Sequence, residues 1–287
     1  MKIIELYKTQ KKVLSLEIFP PKKDYPLTTI FNTLDELKLL NPSFISVTYG
    51  AGGSNRGRTV EIASRIKNEF HIEALAHLTS IGHSRAEVNA LLDELQGNNI
   101  DNVLALRGDL PEGSAINLKN QDYTYAADLI RDIKIRSDFG IAAAAYPEGH
   151  PESSSLEEDL AHLKAKVEVG VDFLITQLFF DNALYYRFIE RAGSLGIDCP
   201  IVPGIFPLLN INQVQKIKEL SQASINPELL KQLEKYRHQP AEMEKTGIEY
   251  ATRQTEDLLQ NQVPGVHLYT MNKSGQIMEI VQNVGLA

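Results

Sequence analysis

The 287-residue sequence has no tryptophan, a single cysteine, and no hydrophobic run near the ~20 residues that span a membrane. Cys199 alone cannot form a disulfide within the chain or a thiolate metal cage, which favours a reducing compartment. Residues 1–12 lack the hydrophobic centre of a secretory signal. Positive charge is also scarce, with 29 Lys and Arg against 37 Asp and Glu. We therefore expect a cytoplasmic protein that binds neither nucleic acid nor membrane.

The rest of the composition is that of a globular chain, with 43% hydrophobic and 23% charged residues. A length of 287 residues suits either two domains of about 150 residues or one large barrel. No linker rich in proline, glycine or serine divides the sequence. This continuity favours one domain spanning residues 1–287.

Eight short apolar runs alternate with longer segments of helical periodicity, a pattern typical of βα units and a parallel sheet. The gap before the last run holds three further helical patterns, at 211–221, 227–236 and 240–261. The sequence therefore predicts an α/β fold, a single (β/α)8 TIM barrel with extra helices between strands 7 and 8. An open doubly wound sheet is the alternative. The eight runs are Val13–Ile18, Phe44–Thr48, Glu73–His77, Asn102–Leu106, Gly140–Ala145, Phe173–Gln177, Pro200–Gly204 and Gly265–Thr270.

Two of the helical segments carry recognisable ends. Capping boxes at 84–87 and 155–158 predict helix starts. In a capping box, the serine side chain accepts the backbone N–H of the glutamate three residues later, and the glutamate side chain accepts the backbone N–H of the serine. Gly97 and Gly170 are expected to end these helices in the left-handed conformation.

Polar side chains recur where the predicted strands end, which is where barrels of this type place their chemistry. Glu17 stands among apolar sequence neighbours, so we expect burial to raise its pKa and suit it to general acid catalysis. A structural glutamate in a salt bridge is an equally good interpretation. Together the polar residues are expected to line one mouth of the barrel: Glu17, His77, Arg107, Asp109, His150 and Gln177.

The glycine-rich loop at 50–53 follows the second strand and can bring backbone amides close to a phosphate or a flat ring. It fits neither nucleotide fingerprint fully. The dinucleotide motif lacks its last glycine, and the P-loop pattern has Arg58 where the phosphate-binding lysine belongs. A plain tight turn is the alternative.

Other chemistries are disfavoured. No His-x-His or His-Glu-x-x-His motif is present and Arg107 would oppose a dication, so we predict no metal site. Glu17 and Asp109 could form a glycosidase pair, but the tryptophans that stack on sugars are absent. No Gly-x-Ser-x-Gly elbow supports a nucleophilic serine.

Seven motifs in order along the chain closely resemble the methylenetetrahydrofolate reductase family. They are LEIFPPK (16–22), VTYGAGG (47–53), HLT (77–79), LRGD (106–109), YPEGHP (146–151), LITQLFFD (174–181) and HLYTMN (267–272). The resemblance implies a (β/α)8 barrel with FAD. It also implies that the flavin accepts hydride from NADH or NADPH and reduces 5,10-methylenetetrahydrofolate to 5-methyltetrahydrofolate in a ping-pong cycle.

The resemblance also assigns roles. Glu17 matches the general acid that opens the folate ring to a 5-iminium cation, and Asp109 matches the carboxylate that stabilises that charge near flavin and pterin. Gln177 matches a contact to folate and then nicotinamide, and Lys273 stands where an arginine can hold the folate glutamate tail. The matching FAD contacts are Thr48, Tyr49, Ala51, His77, Arg107, Gly108, Asp109, Tyr125, Ala126, Tyr146, His150, Asp159, His162 and Lys166.

Departures from the family pattern leave some points open. Ile211 stands where bacterial relatives can have a stacking phenylalanine, and His162 replaces another polar FAD contact. The resemblance predicts a homo-oligomer and, because the chain ends at Ala287, no regulatory extension. Two alternatives remain: a flavin- or folate-binding subunit without turnover of its own, and a barrel acting on another substrate.

Overall fold

The computed structural model describes residues 1–22, 24–49, 56–109, 121–221 and 223–286. Within these residues the strands form one sheet in the order β7-β6-β5-β4-β3-β2-β1-β9-β8, and the pairings between neighbours are parallel. The strands are β1 (Val13–Ile18), β2 (Phe44–Val47), β3 (Glu73–Thr79), β4 (Asn102–Leu106), β5 (Gly140–Ala145), β6 (Phe173–Thr176), β7 (Ile201–Val202), β8 (Gly204–Ile205) and β9 (Gly265–Tyr269). The α/β barrel predicted from the sequence is confirmed, and the open doubly wound sheet is not what forms.

The seventh predicted run, Pro200–Gly204, forms two short strands instead of one. Pro203 has no N–H to donate, so the ladder is interrupted at that residue. β7 pairs with β6 on one side, and β8 pairs with β9 on the other. The Pro203 carbonyl still accepts a hydrogen bond from the backbone N–H of His267, at 3.0 Å. The two halves together bring the barrel close to closure.

Helices surround the sheet. They are α1 (Ile4–Thr9), α2 (Thr28–Leu37), α3 (Arg56–Asn68), α4 (Arg85–Gly97), α5 (Ala126–Arg136), α6 (Leu156–Glu168), α7 (Asn182–Ser194), α8 (Ile211–Leu220), α9 (Pro227–Lys235), α10 (Pro240–Gln260) and α11 (Ser274–Asn283). The three helices predicted between the last two runs are α8, α9 and α10, each within one residue of its predicted end. Among the described helices, none combines the length and apolar character needed to cross a bilayer.

The two predicted capping boxes fare differently. Ser84 Oγ accepts the N–H of Glu87 at 3.3 Å, and the Glu87 carboxylate accepts the N–H of Ser84 at 2.8 Å, so the first box is confirmed. Ser155 Oγ also accepts the N–H of Glu158, at 3.2 Å. The Glu158 carboxylate, however, binds the N–H and hydroxyl of Ser154, both at 2.6 Å. The second box is therefore only half formed.

The predicted helix ends also differ. Gly170 follows the end of α6 with φ 121°, as expected of a left-handed stop. Gly97 is instead the last residue of α4, and the left-handed residue is Asn99, with φ 62°. The prediction for Gly97 was wrong because asparagine also tolerates this conformation.

The inside of the barrel has an apolar floor at the amino-terminal ends of the strands. Side chains alternate between the two faces of a strand, so every second residue of each strand points inward. Helix α1 closes this end, with Ile3 and Leu6 buried in the same cluster as the floor. The tilted ring of Tyr7 lies 5.3 Å from that of Phe173. The floor consists of Val13, Phe44, Leu75, Leu104, Ala142, Phe173, Ile175 and Val202.

Helix α10 approaches the loop after β8 closely enough to require a glycine. A Cβ at Gly247 would lie 1.9 Å from the carbonyl oxygen of Leu208, whereas a Cβ at Gly193, in α7, would meet nothing within 4 Å. We expect Gly247→Ala to lower the free energy of unfolding by about 1–3 kcal/mol, because backbone must shift to admit the methyl group.

Gly193→Ala is the matched control and should raise the stability by up to about 1 kcal/mol, through helix propensity and reduced freedom of the unfolded chain. Urea unfolding of both variants measures the difference. Equal effects of the two substitutions would contradict the close packing of α10 on this loop.

Candidate active site

A buried carboxylate lies above the apolar floor, held by side chains from neighbouring strands. Glu17 Oε2 is 3.3 Å from His77 Nε2 on β3 and 3.5 Å from His267 Nε2 on β9. Ser46 Oγ on β2 donates to the same oxygen at 3.5 Å. On its far side, His267 Nδ1 lies 2.8 Å from Ser15 Oγ, on β1. The five residues are all buried and form a polar layer inside the barrel.

The pKa of Glu17 does not follow the sequence prediction. Burial raises it, but the charge of His77, hydrogen bonding to both imidazoles and the charge of His267 outweigh burial and lower the pKa from 4.5 to about 2. The expected raised pKa was wrong, and the alternative of an ion-paired glutamate is what the structure shows. The apolar sequence neighbours Leu16 and Ile18 misled the prediction because alternation turns them to the opposite face of β1.

A second polar group lies at the ends of β4 and β5. The Arg107 guanidinium forms two hydrogen bonds with the Glu152 carboxylate, Nη1 to Oε2 and Nη2 to Oε1, both 2.5 Å. His150 Nδ1 accepts the N–H of Glu152 at 3.1 Å, and its ring stands edge-on to Tyr146, with centroids 4.7 Å apart. Burial and then the charge of the exposed Asp109 raise the pKa of Tyr146 to about 12.

Lys166 and Asp159, both on α6, extend this group. Burial lowers the pKa of the Lys166 ammonium to about 8, and the charge of Asp159 opposes that shift. Lys166 Nζ donates to the carbonyl of Ala144, on β5, at 2.7 Å. Burial raises the pKa of Asp159 in turn, and burial lowers that of His150 beside it. The cations of this group are therefore already balanced by carboxylates.

The two polar groups meet at one mouth of the barrel. Tyr269, at the end of β9, has its pKa raised first by burial and then by the charges of Glu17 in one group and Tyr146 in the other. Its hydroxyl donates to the carbonyl of Thr176 at 2.8 Å, next to Gln177. Gln177 Oε1 accepts the N–H of Leu178 at 2.9 Å.

The turn after β4 requires glycine. Gly108 has φ +88°, and a Cβ there would lie 2.9 Å from Ile81 Cγ2 and 3.0 Å from Thr79 Cβ. The Ile81 and Thr79 side chains already fill the space that a side chain at residue 108 would need, so glycine lets this turn pack closely on the end of β3. Nearby, Thr79 Oγ1 and Ser80 Oγ are buried without a hydrogen-bond partner among the described residues. Buried hydroxyls without a partner suit a site for a polar ligand.

Those of the remaining predicted residues that the structure describes lie on several different elements. Tyr49, just after Thr48 and β2, is buried with its ring edge-on to His83, at 5.9 Å. The half-exposed ring of Tyr125 lies 5.8 Å from that of His162. Three more were predicted: Ala126 begins α5, Lys273 is exposed just before α11, and Ala51 lies outside the described residues with the rest of loop 50–55.

A model of the methylenetetrahydrofolate reductase family matches residues 2–285, almost the whole barrel. The chain belongs to this family. Two bacterial relatives named 5,10-methylenetetrahydrofolate reductase cover 95% of this chain and 90% of their own length, that of Escherichia coli at 38% identity and that of Salmonella typhimurium at 37%. The resemblance to this family of oxidoreductases is thus confirmed.

A plant relative from Arabidopsis thaliana, named methylenetetrahydrofolate reductase (NADH) 1, is 34% identical over the whole chain. The chain spans about half of the length of that relative, 51%. A solved structure of an uncharacterized protein from Clostridium thermocellum, described as binding two copies of 5-methyl-5,6,7,8-tetrahydrofolic acid, covers 98% of the chain with a TM-score of 0.62. At 11% identity, this likeness shows the fold alone.

Some residues of the site escaped the sequence analysis. Ser15 and Ser46 could have been found, because they occupy inward positions of β1 and β2 level with or next to Glu17 in the barrel. His267 could have been found in the same way, because it lies inward on β9. Glu152 carried no such signal, because its partner Arg107 is 45 residues away and follows another strand.

Glu17 should stabilise this reductase-family barrel at neutral pH. Because its folded-state pKa is about 2 and its usual pKa 4.5, the stabilisation is complete above pH 4.5 and is lost as the pH falls toward 2. We expect Glu17→Gln to lower the free energy of unfolding by about 3 kcal/mol at neutral pH, at roughly 1.4 kcal/mol per unit of pKa.

Urea unfolding from neutral pH down to pH 3 measures this effect. The gap between wild type and Glu17→Gln should narrow in the acid range, while the exposed Glu61→Gln control should stay close to wild type throughout. A gap that widens toward acid would show that Glu17 is protonated at neutral pH.

Proposed function

We propose that this chain reduces 5,10-methylenetetrahydrofolate to 5-methyltetrahydrofolate with a reduced nicotinamide, in a ping-pong cycle through bound FAD. The observation that carries the proposal is the Glu17 carboxylate. It is buried with two histidines at the mouth of a barrel that matches the family model over residues 2–285. The names of the relatives support the folate substrate, and the plant relative's name supports NADH as the donor.

The residues at the mouth fit a dinucleotide cofactor. Arg107 and Lys166 supply positive charge for a diphosphate. Thr48, Tyr49 and Ala51 would face the isoalloxazine. Bound FAD would supply the carrier that receives and returns a hydride. The other contacts carried over from the family are His77, Asp109, Tyr125, Ala126, Tyr146, His150, Asp159 and His162.

The proton for ring opening comes from the buried cluster around Glu17. A carboxylate with a pKa of about 2 holds no proton at neutral pH, so Glu17 can pass on a proton only after taking it from a neighbouring donor. The imidazole nitrogens of His77 and His267 face Glu17 Oε2 and are the groups within reach that can supply one. Glu17 relays it to the folate nitrogen as the five-membered ring opens to the 5-iminium cation.

Three further residues act on the substrates. The carboxylate of Asp109 stabilises the positive charge of the iminium and hydrogen-bonds the pterin. Gln177 contacts folate and nicotinamide in turn, since one pocket serves both. Lys273 keeps a positive charge for the folate glutamate tail without the two-pronged geometry of an arginine.

The proposal extends to the setting of the reaction. The chain acts as one catalytic barrel domain, residues 1–287, within a homo-oligomer. The cytosol suits its unpaired Cys199.

A visible spectrum tests the proposed function most directly. The purified chain supplied with FAD should show flavin absorption that NADH bleaches and 5,10-methylenetetrahydrofolate restores. A chain that takes up no FAD would contradict the proposal. A flavin bleached by NADH but not restored by the folate would instead assign the chain to a binding subunit without its own turnover.

Separate half-reactions test the role of Glu17. Glu17→Gln should bind FAD and accept hydride from NADH within about twofold of wild type, because neither step needs the relayed proton. Reoxidation by the folate should fall about 10²- to 10⁴-fold, as for other lost acid catalysts. Stopped-flow absorbance measures both steps, with Glu61→Gln as the control. Normal reoxidation of the variant would place the acid elsewhere.

A further inference from the structure

The fork of Arg107 is occupied by a carboxylate from its own chain. Two parallel bonds of 2.5 Å join the guanidinium to Glu152, while Arg107 Nε donates to the carbonyl of Gly108 at 3.2 Å. A guanidinium takes a phosphate with the same two-pronged geometry. Glu152 therefore sits where a phosphate would bind, and a ligand phosphate must displace it.

Glu152 is attached in a way that permits this displacement. Its side chain is 58% exposed, whereas that of Arg107 is only 15% exposed. It lies in the turn between β5 and α6, where its backbone N–H donates to His150 Nδ1 and the N–H of Ser153 donates to the His150 carbonyl, at 2.9 Å. These backbone bonds hold the turn, and the carboxylate can swing into solvent without opening the core.

The local charge balance gives the displacement a driving force. Around His150 lie the cations Arg107 and Lys166 and the carboxylates Glu152 and Asp159. A diphosphate carries two negative charges and can contact both cations, whereas Glu152 brings one charge to Arg107 alone. The Glu152 carboxylate therefore competes with the diphosphate for Arg107 but binds the cations less strongly than the diphosphate does.

We propose that Glu152 sets the affinity of this chain for the diphosphate of its flavin by competing with that diphosphate for the Arg107 fork. The inference rests on the proposed function, since it requires that the chain bind FAD. Nicotinamide dinucleotides carry the same diphosphate, and the experiment separates the two sources.

The test is a titration of flavin-free protein with FAD, followed by flavin fluorescence, for wild type and Glu152→Gln. We expect the variant to bind FAD about tenfold more tightly, equivalent to about 1.4 kcal/mol. Riboflavin, which has no phosphate, should bind both proteins equally. Glu157→Gln is the matched control, because it removes the same charge from the first turn of α6 without a bond to Arg107.

Four results would overturn the inference. Equal or weaker FAD binding by Glu152→Gln would mean that Glu152 orients Arg107 instead of competing for it. An equal increase in the FAD affinity of Glu157→Gln would mean that the loss of one negative charge, and not the bond to Arg107, causes the effect. Tighter binding of riboflavin by Glu152→Gln would mean that the effect does not involve the diphosphate. A lower KM for NADH with unchanged FAD affinity would mean that the Arg107 guanidinium binds the diphosphate of the nicotinamide dinucleotide and not that of FAD.

The failure of the proposed function would look different. A wild-type chain that binds no FAD would remove both proposals together. Equal FAD affinities of wild type and Glu152→Gln would remove only the role of Glu152. Thermal melting of both proteins without flavin checks that the exposed substitution leaves the fold intact.

Discussion

The buried carboxylate of Glu17 constrains the arrangement of the upper half of this barrel. An ionised group inside a protein is tolerated only when opposite charge and hydrogen bonds replace lost water. For Glu17 these come from β2, β3 and β9, strands that follow one another on either side of β1 in the sheet. Four neighbouring strands must therefore keep their register for the charge to be stable. The apolar floor fills the lower part of the barrel, and the polar layer above it stabilises the buried charge.

Most of the fold could be predicted from the sequence, and the failures have local causes. Periodicity located the start of each of the eight predicted strands to within one residue but could not show that Pro203 divides the seventh strand in two. It placed α8, α9 and α10 within a residue, yet missed that Asn99 and not Gly97 turns left-handed. Each error concerns the backbone of one residue, about which the pattern of apolar residues carries no information.

Some members of the candidate site could be predicted from the sequence, but its electrostatics could not. Strand ends and family motifs brought Glu17, His77 and Arg107 to one mouth, as the structure shows. Their charge states depend on partners far away in sequence, since Glu17 meets His267 across 250 residues and Arg107 meets Glu152 across 45. The positive groups expected for a diphosphate are present, but each is matched by an acid, which suits a chain with a net charge of -8.

The apolar floor has a consequence for the timing of proton uptake. Among the described residues, Ile3, Leu6 and the inward side chains of the strands pack together and close the lower end of the barrel. In the proposed reaction, protons and water would reach the Glu17 cluster from above, through the mouth that the bound substrate would cover. The proposed relay would then require the cluster to take up its proton before the folate binds. The rate of the proposed folate reduction would accordingly depend on the protonation of the cluster before substrate binds. It would change little with solvent pH once the substrate is bound.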